Sequence, residues 1–338
     1  MRFFAPLLAI LPALILPNMA QAAGLGPQPV LLGKVDGLKD ILIVDGAPVL
    51  KAEAGDYQIL LMPDGKLALA PLPSPELEVT PTPPDIIPHA RIVQGARDIR
   101  ATWFASPTER YDHGVLGDHI EAAALKVETA AGEILSHELS GESVFEDLTP
   151  RLADIDGDGR DEIIAVRSYV DRGAAVVLFG IRDGELVRLA ESDPIGMPNR
   201  WLNPIGAGDF DGDGTSEIAV IQTPHIGGIL ILYRWQGERL METARRFGFS
   251  THAMGSTVLG MSAILDIDGD GGDEILVPDQ GRTDLKAVSY AGGVFRVLWS
   301  VPNDANIATS IVTADLDGHG GADILYGLAD GSVLLLPR

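Results

Sequence analysis

The chain has 338 residues, with 25 Lys and Arg against 48 Asp and Glu, a formal net charge of −23. A surface that acidic repels nucleic acid and anionic membranes, and the complete lack of Cys excludes disulfides and thiolate metal sites. At 46 % hydrophobic residues the chain can still bury a large core, which sets it apart from disordered acidic polymers.

In chain order, the first element is an export signal. Arg2 is followed by an apolar run over residues 3–16 and by Ala20-Gln21-Ala22, a cationic start, an apolar centre and a small-residue cleavage site. The run is short for a membrane crossing and is interrupted by Pro6 and Pro12. Residues 1–22 are therefore expected to be a signal peptide, and the mature chain to be periplasmic or secreted with no transmembrane segment. Without Arg2 the balance is 24 basic against 48 acidic residues. The remaining length suits one large all-β domain, residues 24–338.

Self-similarity then organises the chain. Four segments align: RLADIDGDGRDEIIAV from Arg151, GAGDFDGDGTSEIAVI from Gly206, AILDIDGDGGDEILVP from Ala263 and VTADLDGHGGADILYG from Val312. Their first acids are Asp154, Asp209, Asp266 and Asp315, at intervals of 55, 57 and 49 residues. Two weaker copies lie upstream, KVDGLKDILIV and IVQGARDIRAT, keeping an acid-isoleucine pair at Asp40 and Asp98. Six units result, near 30–75, 88–140, 150–195, 204–247, 261–300 and 309–338.

Within the third unit the pattern gives strands near 151–155, 163–167, 175–181 and 186–190; in the fourth, near 205–210, 218–222, 229–235 and around Leu240. The one helix-like patch is at 119–124. Four short strands recurring every 50 to 60 residues is the pattern of a β-propeller with four-stranded antiparallel blades. Six blades are expected, or seven if residues 29–71 hold two degenerate units. The last unit supplies three strands, so closing the ring requires pairing of the termini, residues 30–35 with 332–336. The proline-dense stretch 71–88 reads as a stiff connection between blades.

The acidic turns hold 17 of the 48 carboxylates. In the first, Asp154, Asp156 and Asp158 occupy positions 1, 3 and 5; Arg160 offers a backbone carbonyl at position 7 and Glu162 a carboxylate at position 9. The second offers Asp209, Asp211, Asp213, the Thr215 carbonyl and Glu217, and the third Asp266, Asp268, Asp270, the Gly272 carbonyl and Glu274. Several hard oxygens in a flexible loop suit Ca²⁺ better than Mg²⁺. The fourth has Asp315, Asp317 and Asp323 but His319 at position 5, so its site should be weaker. An EF-hand would need a Glu at position 12, where Ala165, Val220 and Val277 stand inside strand patterns. Solvated Asp-Gly hairpin turns are the plain alternative, but four carboxylates in each of three equivalent turns repel one another without a shared cation.

These loops resemble the FG-GAP or VCBS repeats of integrin α-chain-like propellers, whose pattern places acids at positions 1, 3, 5 and 9 with glycines between, joining the first two strands of a blade. The resemblance implies a propeller with calcium in selected blades. Glu at position 9 in three loops, and His319, depart from the pattern.

The opposite face of such a propeller gathers the remaining loops, where function usually resides. Tyr111, His113, Trp201 and His252 are the candidates for a recognition cleft there. No nucleophile elbow, zinc-binding helix or phosphate loop is present. The expected role is a non-enzymatic, calcium-stabilised monomer that binds an extracytoplasmic protein or glycan. The alternatives are a lectin-like propeller or, since some propellers it resembles belong to polysaccharide lyases, a calcium-assisted lyase.

Overall fold

The computed structural model describes residues 24–73 and 83–338. The expected signal peptide and residues 74–82 of the proline-rich stretch lie outside them. The regular elements among the described residues are β-strands joined by turns and loops, with one short 3₁₀ turn at Ala291–Gly293. Among the described residues no helix is long and apolar enough to cross a membrane.

Two strands lead, β1 (Gly24–Leu25) and β2 (Val30–Lys34). The first unit follows as an antiparallel sheet of β3 (Leu38–Val44), β4 (Ala47–Ala52), β5 (Tyr57–Leu61) and β6 (Leu67–Pro71). The second comprises β7 (Val93–Gln94), β8 (Ile99–Thr108), β9 (Glu121–Thr129) and β10 (Ile134–Glu138), trailed by β11 (Ser143–Phe145). The third holds β12 (Arg151–Ala153), β13 (Glu162–Tyr169), β14 (Gly173–Arg182) and β15 (Glu185–Glu191). The fourth holds β16 (Leu202–Gly208), β17 (Glu217–Gln222), β18 (Ile229–Gln236) and β19 (Arg239–Phe247). The fifth holds β20 (Ala263–Leu265), β21 (Glu274–Pro278), β22 (Asp284–Ser289) and β23 (Arg296–Pro302). The last has β24 (Val312–Ala314), β25 (Asp323–Gly327) and β26 (Ser332–Leu336).

Position within a unit explains the residue pattern. Strand β13, flanked by β12 and β14, is buried along almost its whole length, so the centre of its sequence EIIAVRSY is the continuous apolar run Ile163–Val166. Strand β19 pairs with β18 and is mostly exposed, so charged residues intersperse it. The last unit takes its fourth strand from the N-terminal end: β2 pairs antiparallel with β26, Val30 opposite Leu335 and Lys34 opposite Ser332. In addition β1 adds in parallel to β23, Gly24 opposite Trp299. One short segment thus covers two sheet edges that would otherwise be open.

Three features differ from expectation. Residues 121–124 of the helix-like patch near 119–124 open strand β9, which pairs with β8 and β10 and buries Ala122 and Ala124; tertiary burial overrides the helix propensity of Ala and Leu. The units are not six separate sheets. Strand β11 bridges β9 and β13, and Glu191 pairs with Arg239 between β15 and β19, so the second, third and fourth units share one thirteen-stranded sheet. Finally, Asp40 lies within the first strand of its sheet and not at the start of the second, so the first copy is displaced by one strand from the other five.

Apolar side chains pack between successive units. Ile41 and Leu50 of the first meet Leu325, Val333 and Leu335 of the last. Leu276 and Leu285 meet Ile324 and Tyr326, while Ala219, Ile221 and Leu230 meet Ile275, Val277 and Val288. The largest cluster runs through the second, third and fourth units around Phe104, Phe145 and Phe179, with ring centroids 5.4 and 5.7 Å apart. Each sheet therefore buries its faces against its neighbours, and the first-to-second-strand loops are left at the rim.

Candidate metal centres and a buried acidic cluster

The four aspartate loops join β12 to β13, β16 to β17, β20 to β21 and β24 to β25. Their folding is dictated by the same bonds each time. The acid at position 9 is buried and accepts the backbone N–H at position 2: Glu162 from Ile155 at 3.1 Å, Glu217 from Phe210 at 3.2 Å, Glu274 from Ile267 at 2.7 Å and Asp323 from Leu316 at 3.1 Å. The acid at position 1 accepts from the glycine at position 6: Asp154 from Gly159, Asp209 from Gly214, Asp266 from Gly271 and Asp315 from Gly320, at 3.1, 2.8, 3.1 and 3.1 Å. The acid at position 3 accepts from position 5. Those glycines have φ of 86°, 86°, 91° and 87°, with no neighbour within 4 Å of a notional Cβ; backbone conformation, and not space, requires Gly there.

The bonds leave other carboxylate oxygens facing one another. One oxygen each from Asp154, Asp156 and Glu162 lie within 4.8 Å of one another, as do oxygens of Asp209, Asp211 and Asp213, and of Asp266, Asp268 and Glu274. Asp154 Oδ1 is buried with no hydrogen-bond partner. Such triads can hold a metal ion, and hard oxygen donors fit calcium. Among the described residues, Asp315, Asp317 and Asp323 form no such triad; instead His319 Nδ1 lies 2.9 Å from Asp317, and Asp323 also accepts the Arg338 N–H. The backbone carbonyls of Arg160, Thr215 and Gly272 stand at the loop turns, and the Arg160 side chain folds back onto Asp158.

Charge compensation differs among the loops, which sequence spacing did not reveal. Arg182 donates to Glu162 at 3.1 Å and lies 4.0 Å from Asp156. Arg234 reaches Asp211 at 3.0 Å, Asp213 at 2.8 Å and also Glu217. In the Asp266 loop the charges acting on Glu274 are Asp268 and Asp270, and the Arg338 guanidinium donates to the Asp266 and Ile267 carbonyls at 2.9 and 2.6 Å. Burial, followed by Asp268 and Asp270, pushes the Glu274 carboxyl up to about 7. Burial also raises Glu162 and Glu217, with the adjacent arginine opposing it in each. Two further acids brace loops across units: Asp273 accepts from the Asp209 N–H at 3.1 Å, and Asp161 pairs with Arg97 at 2.5 Å.

At the far end of β13 the four residues proposed for recognition do come together, but inside the protein. Trp201 and His252 are fully buried with ring centroids 4.9 Å apart, and Tyr111 is 3 % exposed. Tyr111 Oη accepts the Asn199 N–H at 3.0 Å, Trp201 Nε1 donates to the Glu146 carbonyl at 2.8 Å, and His113 contacts the Glu146 carboxylate. Instead of an exposed cleft, Tyr111, Trp201 and His252 are buried and His113 is half-buried; His252 Nε2 lies 2.8 Å from the Ser256 carbonyl while its Nδ1 has no partner. Sequence reasoning missed the acids they surround. Glu121, Glu146 and Asp147 are buried, and burial raises all three, Glu121 to about 10. Glu121 opens β9 and the adjacent Glu146 and Asp147 follow β11, so nothing in the spacing signals that they meet.

Strands in repeated sets of four, with acidic loops between the first and second, define an all-β repeat protein with candidate cation sites. Residues 154–220 match the family model described as FG-GAP-like repeat, so the chain carries FG-GAP repeat sequence across its third and fourth units. No curated protein matches the chain. Among solved structures it is similar to the crystal structure of exotype rhamnogalacturonan lyase YesX, with 16 % identity and a TM-score of 0.42 over 86 % of this chain. The similarity spans 63 % of that structure's length.

Proposed function

We propose that the six units close into one calcium-stabilised β-propeller, exported from the cytoplasm, that serves as a non-enzymatic binding module for a protein or glycan. The observation that carries the calcium reading is the repeated carboxylate triad at equivalent turns, one of which includes a buried, unpartnered oxygen on Asp154. Like charges at that separation are costly unless a cation is shared, so ion binding becomes folding free energy for the blade. Ring closure is supported by β2 pairing with β26, by the packing of the first unit on the last, and by Arg91 of the second unit reaching Asp40 of the first at 2.5 Å.

Among the described residues, the arginines ion-paired with the loop acids, Arg97, Arg160, Arg182 and Arg234, are engaged there, which speaks against a basic groove for an acidic sugar beside the triads. The test is thermal melting with excess calcium or with chelator, followed by capture from a cell-envelope extract with and without calcium. A melting temperature lowered by chelator, and a partner retained only with calcium, support the reading; melting unchanged by chelator contradicts it.

A further inference from the structure

The three loops differ in what neutralises their acids, and at Asp209 a single side chain serves three of them. Strand β18 places Arg234 directly opposite Glu217 in the β17–β18 register. Its guanidinium donates to Asp211 at 3.0 Å, to Asp213 at 2.8 Å and to Glu217, reaching the acids at positions 3, 5 and 9 of the loop together. A guanidinium is never deprotonated in proteins and its planar fork matches several carboxylates at once. Among the described residues no basic side chain is ion-paired with the carboxylates of Asp266, Asp268, Asp270 or Glu274; the Arg338 guanidinium reaches this loop only at the Asp266 and Ile267 carbonyls, at 2.9 and 2.6 Å. In the Asp154 loop the neutralisation is divided among three arginines: Arg182 bonds Glu162 at 3.1 Å and lies 4.0 Å from Asp156, Arg160 pairs with Asp158, and Arg97 lies 3.7 Å from Asp154 Oδ2, while Asp154 Oδ1 is left unpartnered.

We propose that Arg234 acts as a built-in cation in the loop at Asp209, so that this loop is folded without metal while the loop at Asp266 depends on an ion. The inference concerns which loop is loaded and rests on the calcium reading only for the Asp154 and Asp266 loops. An incoming Ca²⁺ at Asp211 and Asp213 meets oxygens already held by Arg234, and must expel a charge-assisted network before coordinating them. The repeat thus contains one turn in which a side chain stands in for the ion that its sequence pattern alone implies.

Calcium stoichiometry of the metal-stripped full chain, measured by calorimetric titration, tests this. Asp213→Asn is expected to bind as many ions as the unaltered protein, Asp268→Asn one fewer, and Arg234→Met one more. A new site at least tenfold weaker in the unaltered protein than in Arg234→Met supports the assignment. Loss of an ion on Asp213→Asn, or an unchanged count in Arg234→Met, overturns it. Asp213→Asn keeps the shape of the side chain, so the test does not depend on Arg234→Met folding without metal. If the unaltered protein binds no calcium, the proposed function fails, yet a single ion gained by Arg234→Met still supports the role of Arg234.

Discussion

Glu274→Gln removes a single buried charge while preserving the oxygen that accepts the Ile267 N–H at 2.7 Å. The Glu274 carboxyl is raised from 4.5 to about 7, first by burial and then by Asp268 and Asp270. A raised carboxyl means that the metal-free folded protein keeps a proton that the unfolded chain has lost. Its contribution to stability is complete below pH 4.5 and disappears as pH climbs towards 7. At pH 8 the ionised side chain costs at most about 3 kcal/mol in the folded state, and less to the extent that water reaches the loop. For a domain of this size that shifts melting by a few degrees. In chelator at pH 8, Glu274→Gln should melt higher than the unaltered protein, and at pH 4 the two should coincide. With calcium the sign reverses, because the variant has lost a charged ligand and the ion no longer stabilises it as strongly. Scanning fluorimetry at both pH values, with and without calcium, reads all four conditions. A variant less stable in chelator at pH 8, or shifted equally with and without calcium, would refute the reasoning.

Three other outcomes follow from the same geometry. Glu121, pushed up to about 10 by burial, stays protonated at neutral pH, so Glu121→Gln should gain up to about 3 kcal/mol in denaturant unfolding at pH 7 and nothing at pH 4; equal effects at both pH values would oppose this. Trp201→Phe loses the bond to the Glu146 carbonyl in a fully buried site and should cost about 1–3 kcal/mol by chemical denaturation. Gly271→Ala meets no neighbour within 4 Å but must hold φ near 91°, so it should cost about 1–3 kcal/mol and weaken calcium binding in a direct titration.

The loops were legible because their chemistry is local. Aspartates at alternate positions with glycines between fix the turn, and the position-9 acid follows within the same short window, so spacing alone placed Asp154 to Glu162 and its copies. The β2–β26 pairing was legible from a missing strand in the last unit and an unassigned, largely apolar run at residues 30–35. Less was visible at the first unit, where Asp40 sits in the first strand of its sheet, because an acid-isoleucine pair recurs in two different strand positions. Arg234 was invisible because it meets Glu217 only across a hairpin register. The buried acids Glu121, Glu146 and Asp147 come from a strand and a distant loop, and only packing brings them beside Tyr111, His113 and Trp201.

Bound calcium per chain, determined by elemental analysis after gel filtration in micromolar calcium, tests the central claim most directly. At least two ions per chain, removed by chelator together with a fall in melting temperature, are predicted from the loops at Asp154 and Asp266. Metal-free protein whose melting is indifferent to both calcium and chelator would contradict it.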